Sequence, residues 1–148
     1  MNIANLLQEK SIFIGLKSGS KREFLTDLAQ RASGVCSIDA LSLFDTIMER
    51  ENLGSTGLGG GVAIPHGRFY ELTQPMVFFA RPSYPVEFDA VDGKPVDLVF
   101  LLISPESSGA DHLTALASLS RCLKDESICE RLRQMNNPTE IYALLCEA

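Results

Sequence analysis

The sequence contains 148 residues, 45% of them hydrophobic, and has a net charge of −6 at pH 7. A chain of this length buries roughly 68–70% of the surface that its unfolded form exposes, so a single domain over residues 1–148 can be stable without disulfides or metals. The acidic charge argues against nucleic-acid binding, which requires basic surfaces. No apolar stretch reaches the roughly 18–20 residues of a membrane span, and we expect no insertion into a membrane.

The N-terminal third predicts one strand followed by two helices. The segment "MNIANLLQEK" lacks the basic and apolar regions of a signal peptide, so we expect a cytoplasmic protein. The β-branched and aromatic residues of "SIFIGL" (11–16) predict a strand. Ser20 and Glu23 have the spacing of a capping box and open a helix, which Gly34 is expected to end. Apolar residues at helical spacing predict a second helix over 38–52.

Residues 55–104 carry strand signals separated by turns. The apolar runs are "VAIPH", "MVFFA" and "VDLVFLLI", and "DGKP" supplies turn residues. Because Pro65 lacks a backbone donor, we expect the first of these strands to leave the sheet ladder at that residue. The run "VDLVFLLI" is apolar at consecutive positions, which is typical of a central strand buried on both faces.

The C-terminal third returns to helical patterns. Apolar residues at helical spacing predict helices over 110–123 and 125–135, and "NPTE" (137–140) has the cap residue, proline and glutamate of a helix start. Helices before and after a set of strands predict an α/β fold, a three-layer α/β/α sandwich with a mixed sheet. The order of the strands cannot be read from this pattern.

The four cysteines form no CxxC pair and have no histidine close in sequence, so neither a disulfide framework nor a zinc site is indicated. We expect them to be reduced residues that fill the core, which is the usual behaviour of free cysteine.

The segment "GLGGGVAIPHGR" (57–68) contains one of only two histidines in the chain, His66 and His112. Its glycines match neither the GxxxxGK[ST] nor the GxGxxG nucleotide-binding pattern, and "GSTG" is not a GxSxG nucleophile elbow. A histidine that acts as a nucleophile remains. An imidazole is largely neutral at cytoplasmic pH, so a ring nitrogen can attack phosphorus without a separate base, and a second imidazole can stabilise the transferring group.

The longer stretch "ENLGSTGLGGGVAIPHG" (51–67) resembles the phosphorylation-site signature of type-2 enzyme IIA domains, the fructose/mannitol class of the phosphoenolpyruvate-dependent phosphotransferase system. The signature requires an acidic or amide residue, an aliphatic and a small residue, and then aliphatic-Ala-aliphatic-Pro-His-small. Every position is met, from Glu51 to Gly67. The strands between the two histidines and the helix "HLTALASLSRCL" also resemble the family, so the resemblance extends over nearly the whole chain.

The resemblance implies a phosphoryl-transfer site around His66. A small phosphohistidine carrier protein, of the HPr or NPr type, is expected to place a phosphoryl group on Nε2 of His66, giving tele-phosphohistidine. The family's second-histidine helix places His112 beside that group. Arg50 corresponds to a family arginine near the phosphate, although a cation also suits the end of a helix. No cofactor and no metal are expected.

Three further positions are candidates for supporting the phosphate. Arg68 could add positive charge, Thr56 could bind phosphate oxygens or only shape the turn, and Gly67 leaves space beside His66. The glycines of "GLGGG" most simply provide a tight bend, and their N–H groups could cradle an anion.

Within the family, the closest resemblance is to the nitrogen-type enzyme IIA, a free-standing domain. Because no sugar-specific IIB or IIC region is fused to the sequence, we expect a regulatory role through phosphorylation-dependent binding of an unidentified target protein. The alternative is a sugar-specific IIA subunit that passes the phosphoryl group to a separate IIB. A hydrolase or metal enzyme that uses both histidines is a third hypothesis.

Overall fold

The computed structural model describes residues 2–148, which form a mixed sheet of six strands between two layers of helices. The strands are β1 Leu7–Leu16, β2 Gly57–Gly59, β3 Val62–Ala63, β4 His66–Phe69, β5 Met76–Pro82 and β6 Leu98–Pro105. The helices are α1 Lys21–Cys36, α2 Ala40–Asn52, α3 Ala110–Cys122, α4 Glu126–Gln134 and α5 Pro138–Glu147, and a short 3-10 turn covers Ile3–Asn5. The predicted α/β fold with a mixed sheet is confirmed. Within residues 2–148, no helix has the length and apolar character needed to cross a membrane.

The sheet has the strand order β1-β5-β6-β3-β2, and β4 pairs with β6 beyond the end of β3. β1 is parallel to β5, β5 is antiparallel to β6, and both β3 and β4 run parallel to β6. Every residue of β6 is buried. The consecutive apolar run therefore forms the central strand, as its pattern predicted.

Two hydrophobic cores lie on opposite faces of the sheet. Because side chains alternate along a strand, Phe78 and Leu101 pack in the core beneath α1 and α2, whereas Phe79 and Phe100 pack in the core beneath α3, α4 and α5. The rings of Phe79 and Phe100 meet edge to face with centroids 5.2 Å apart. The sheet is thus covered on both faces, as the three-layer prediction requires.

Besides shifts of one or two residues at other helix ends, two boundaries in the N-terminal third differ from the sequence prediction. β1 begins at Leu7, four residues before the predicted start. The prediction missed this stretch because Gln8–Lys10 are polar and exposed, and their pairing with β5 is irregular. α1 continues through Gly34, so the predicted stop there was wrong. The last helical residue is Cys36, and Ser37 follows as the C-cap with a left-handed φ of 64°. The Ser33 hydroxyl donates to the Ile38 carbonyl at 2.6 Å. Local side-chain hydrogen bonding therefore ends the helix where no glycine does.

Candidate active site

His66 lies at an interruption between two short strands. β3 ends at Ala63, Pro65 carries no N–H, and β4 begins at His66 opposite Leu102 of the central strand. The Pro65 carbonyl accepts from the Leu102 N–H at 3.0 Å, which keeps the chain in register with β6 across the break. The proline thus directs the chain out of the ladder for two residues and returns it at the histidine.

The interruption fixes the tautomer of the His66 ring. Nδ1 of His66 lies 2.8 Å from the carbonyl oxygen of Ile64. A carbonyl can only accept a hydrogen bond, so Nδ1 carries the proton of the neutral ring and Nε2 keeps its lone pair. Nε2 of the half-buried ring is therefore unprotonated and able to act as a nucleophile.

His112 is the third residue of α3 and is buried beside His66. The two ring centroids are 5.5 Å apart and the ring planes are inclined by 54°. Nδ1 of His112 lies 2.7 Å from the hydroxyl oxygen of Ser104, at the end of β6. This hydrogen bond leaves Nε2 of His112 as the nitrogen that can interact with a ligand.

Burial lowers the pKa of both imidazoles. The pKa of His66 falls below its ordinary value of 6.5 chiefly because the ring is desolvated; the hydrogen bond with Ile64 opposes this effect and the charge of Arg50 adds to it. Burial, followed by the charges of His66 and Arg68, lowers the pKa of His112 to about 4. Both rings are therefore neutral at pH 7.

The two histidines line an open depression together with two arginines. Arg50, in the last turn of α2, donates to the Gly54 carbonyl at 2.8 Å, and Arg68 is exposed on β4. The rest of the lining is formed by Thr46, Glu49, Leu53, Gly67, Leu113 and Leu116. The depression thus combines two neutral imidazoles and two cations, a set of groups suited to a phosphoryl group.

Gly67 allows helix α2 to approach the histidine strand. A Cβ atom at this position would lie 3.1 Å from Cγ2 of Thr46 and 3.3 Å from the Phe69 ring. These distances are tighter than ordinary van der Waals contact, so a side chain at this position would require Thr46 or Phe69 to shift.

The glycine bend lies outside the depression, and its N–H groups are partly used within the protein. Gly57 and Gly60 donate to the Ser55 hydroxyl and to the Asp92 carboxylate, each at 3.0 Å. A Cβ atom at Gly61, where φ is +81°, would lie 2.7 Å from Oδ1 of Asp97. The glycines therefore serve a tight backbone bend, and the structure does not place an anion cradle there.

Thr56 does not line the depression. It is buried, and both its N–H and its hydroxyl donate to the carboxylate of Glu51. Lys21, at the start of α1, forms an ion pair with the same carboxylate at 2.7 Å. The depression thus brings together five of the candidate residues and does not include Thr56. The five are His66, His112, Arg50, Arg68 and Gly67.

Sequence reasoning missed Ser104 and Lys21 and assigned no role to Glu51 beyond its place in the signature. One signal was available for Ser104, because it is the first hydroxyl after a long apolar run. Nothing in the sequence connects Lys21 with Glu51. Among residues 2–148, no group of three or more His, Cys, Asp and Glu side chains is arranged to hold a metal ion.

Comparison with known proteins identifies the family. The sequence profile described as "Phosphoenolpyruvate-dependent sugar phosphotransferase system, EIIA 2" matches residues 5–148. The chain belongs to this family. The crystal structure of nitrogen regulatory protein IIA-Ntr from Neisseria meningitidis matches with a TM-score of 0.89 and 38% identity, over 97% of this chain and 98% of that one.

Two curated relatives represent the two branches considered from sequence. A nitrogen regulatory protein of Bradyrhizobium diazoefficiens is 42% identical over 98% of this chain and 95% of its own length. A fructose-specific EIIA component of Haloferax volcanii is 39% identical over 84% of this chain and 80% of its own length. Proteins of the EIIA family are phosphocarriers that receive a phosphoryl group from another protein and pass it on. The prediction of a type-2 EIIA phosphotransferase of nitrogen-regulatory type is confirmed, and the sugar-specific type remains the alternative.

Proposed function

We propose that Nε2 of His66 accepts the phosphoryl group from the phosphohistidine of an HPr-type or NPr-type carrier. The Nε2 lone pair attacks phosphorus and forms the new P–N bond. The bond between phosphorus and the carrier's imidazole nitrogen breaks, and its electron pair returns to that imidazole. The transfer needs no nucleotide and no additional base, because the attacking nitrogen carries no proton.

The observation that supports this proposal most strongly is the hydrogen bond from Nδ1 of His66 to the Ile64 carbonyl at 2.8 Å. It reserves Nε2 for attack. As the P–N bond forms, positive charge develops on the ring, and the Nδ1–H group donates more strongly to the carbonyl oxygen. The same contact therefore supports both the ground-state tautomer and the developing charge.

His112 and the two arginines stabilise the group in transfer in this proposal. Neutral His112 can donate from Nε2 when the Ser104 hydroxyl donates to its Nδ1. Arg50 and Arg68 lie at the edge of the same depression and spread the charge of the phosphoryl oxygens. Gly67 supports the site because its lack of a side chain allows α2 to lie close to β4. Thr56 supports the site indirectly, through its hydrogen bonds with buried Glu51.

We further propose that residues 1–148 act as a single cytoplasmic EIIA domain whose phosphorylation controls the binding of a target protein. Leu53 and Leu113 are exposed by 83% and 63% and flank the histidines. A phosphoryl group adds about −2 charge beside this apolar rim, which changes the partners that it can bind. The similarity to nitrogen regulatory proteins favours this role over transfer to a sugar-specific IIB.

The proposed role of His66 as acceptor is tested by incubating the purified chain with phosphoenolpyruvate, enzyme I and either NPr or HPr. We expect the intact mass to increase by one phosphoryl group, through a bond that is labile in acid and stable in base. The His66→Gln variant is the control and should gain nothing. An unmodified wild type in both reactions, with the carriers themselves phosphorylated, would contradict the proposal.

The regulatory role is tested separately by comparing phosphorylated wild type, unphosphorylated wild type and His66→Ala as baits. We expect at least one protein to be captured by only one of the two forms of the wild type, and His66→Ala to behave as the unphosphorylated form. If every bait captures the same proteins equally, phosphorylation is not a binding switch. Transfer to an added IIB would then favour the sugar-specific alternative.

A further inference from the structure

A buried ion pair joins Lys21 of α1 to Glu51 of α2, outside the depression that contains His66. The Glu51 side chain is only 1% exposed, and its Oε2 lies 2.7 Å from Nζ of Lys21, whose side chain is 18% exposed. Nζ of Lys21 also donates to the Phe88 carbonyl at 3.3 Å and lies 4.6 Å from the centre of the Phe88 ring. A carboxylate removed from water to this extent is strongly disfavoured unless charges and donors surround it, as they do here.

The carboxylate holds Thr56 through two hydrogen bonds. The Thr56 N–H donates to Oε2 of Glu51 at 3.2 Å, and the Thr56 hydroxyl donates to Oε1. On the opposite side, the Thr56 carbonyl accepts from the Ile64 N–H at 3.1 Å. The Thr56 backbone therefore connects the buried carboxylate with the residue whose own carbonyl binds His66.

Ile64 is held from both directions. Its N–H is bound to Thr56, its carbonyl accepts from Nδ1 of His66, and the following Pro65 has a fixed φ and a carbonyl bound to Leu102 of β6. The central strand anchors the Pro65 side of this arrangement. On the Thr56 side, Gly57 pairs with Ala63 of β3 and the Ser55 hydroxyl donates to the Phe88 carbonyl, whereas the Thr56 side chain itself is held by Glu51.

We infer that Glu51, clamped by Lys21, is a positioning residue that acts through Thr56 to orient the Ile64 carbonyl and so keep the proton of His66 on Nδ1. The inference rests on the proposed function, because the tautomer matters only if Nε2 is the attacking nitrogen. In this inference, the buried Lys21–Glu51 pair serves phosphoryl transfer by helping to position the Ile64 carbonyl. Stability alone is a weak reason for such a pair, since apolar replacements of buried ion pairs are often equally stable.

The first test replaces Thr56 by valine, which has the same shape and lacks the hydroxyl, and by serine, which restores it. The position of the His66 proton is read from the ¹⁵N chemical shifts of its ring nitrogens. We expect Thr56→Val to move part of the population to the Nε2–H tautomer and to slow phosphoryl transfer about tenfold, because small misplacements of reacting groups have large effects on rate. Thr56→Ser should match the wild type in both measurements.

The second test removes both charges with Lys21→Met/Glu51→Leu, which leaves no unpaired buried charge and is therefore expected to fold. The shifts of His66 should show the mixed tautomers, and the transfer rate should fall at least as far as in Thr56→Val. The matched control is Arg81→Met. Arg81 is half-buried and bound to the carbonyls at the end of α4, so this variant should lower thermal stability without changing His66.

The inference is overturned if Thr56→Val and the double variant keep His66 wholly in the Nδ1–H form with wild-type transfer rates. It is also overturned if Arg81→Met slows transfer as much as they do, because the effect would then follow lost stability. A wild type that accepts no phosphoryl group would contradict the proposed function instead. The ¹⁵N shifts need no phosphorylation and still test the positioning by Glu51 in that case.

Discussion

The two imidazoles of the depression are close to each other but are held in different ways. His66 is half-buried on a strand, and Nδ1 binds a main-chain carbonyl, which can only accept. His112 is buried on a helix, and Nδ1 binds a serine hydroxyl, which can donate or accept. The carbonyl imposes one tautomer on His66, whereas the hydroxyl lets the His112 proton adapt to a ligand. A fixed ring suits a nucleophile, and an adaptable ring suits a hydrogen-bond donor.

The largest effect on phosphorylation is expected from removing the His66 ring. His66→Gln should abolish phosphorylation, because the variant lacks the ring nitrogen that attacks phosphorus in the proposed transfer. Intact mass after incubation with the phosphorylated carrier measures this, and circular dichroism confirms the fold. Phosphoryl incorporation into the folded variant would show that the two rings are interchangeable.

Removing the His112 ring should leave His66 able to accept a phosphoryl group but slow the transfer. His112→Leu fills the buried space and removes the donor, so we expect the transfer rate to fall by about 10²–10³, as for the loss of one donor to a developing charge. Rapid-quench measurement with labelled phosphoenolpyruvate gives the rate. A wild-type rate in the variant would exclude a role for His112 in the transfer.

The burial of His112 should also appear in the pH dependence of stability. In the unfolded chain this ring binds a proton at its ordinary pKa of 6.5, whereas in the folded protein it does so only near pH 4. The free energy of unfolding should therefore fall as the pH falls from about 6.5 towards 4, by up to about 3 kcal/mol from this group.

Urea unfolding at pH 7.0, 5.5 and 4.5 measures this loss in the wild type and in His112→Leu. The variant should lose less stability between the first and last pH, because the carboxylates contribute equally to both proteins. Identical losses in the two proteins would show that the His112 pKa is not lowered by folding.

The smallest effect on the transfer rate is expected from removing the Ser104 hydroxyl, which binds Nδ1 of His112. Ser104→Ala removes one net hydrogen bond of about 1 kcal/mol, so we expect transfer to slow about fivefold. The ¹⁵N shifts of His112 should change and those of His66 should not. Unchanged His112 shifts would mean that the Ser104 hydroxyl does not influence where the His112 ring carries its proton.

The sequence predicted the features that depend on local pattern. The consecutive apolar residues of β6 identified the central strand, and Pro65 identified the break before His66. Gly34 misled the helix prediction because the actual end depends on the Ser33 hydroxyl and a left-handed Ser37. The pairing of Lys21 with Glu51, and of Ser104 with His112, depends on which elements are neighbours in space. The strand order decides this, and it cannot be read from the pattern of residues.

The pairing of His66 with Leu102 connects the backbone of His66 to the strand in which every residue is buried. Backbone amides in such strands generally exchange with solvent only when the whole molecule opens. Local opening of α4 or α5, which contribute no residue to the depression, would therefore leave the proposed acceptor in place. On heating, the proposed capacity to accept a phosphoryl group should persist until the sheet, α2 or α3 melts.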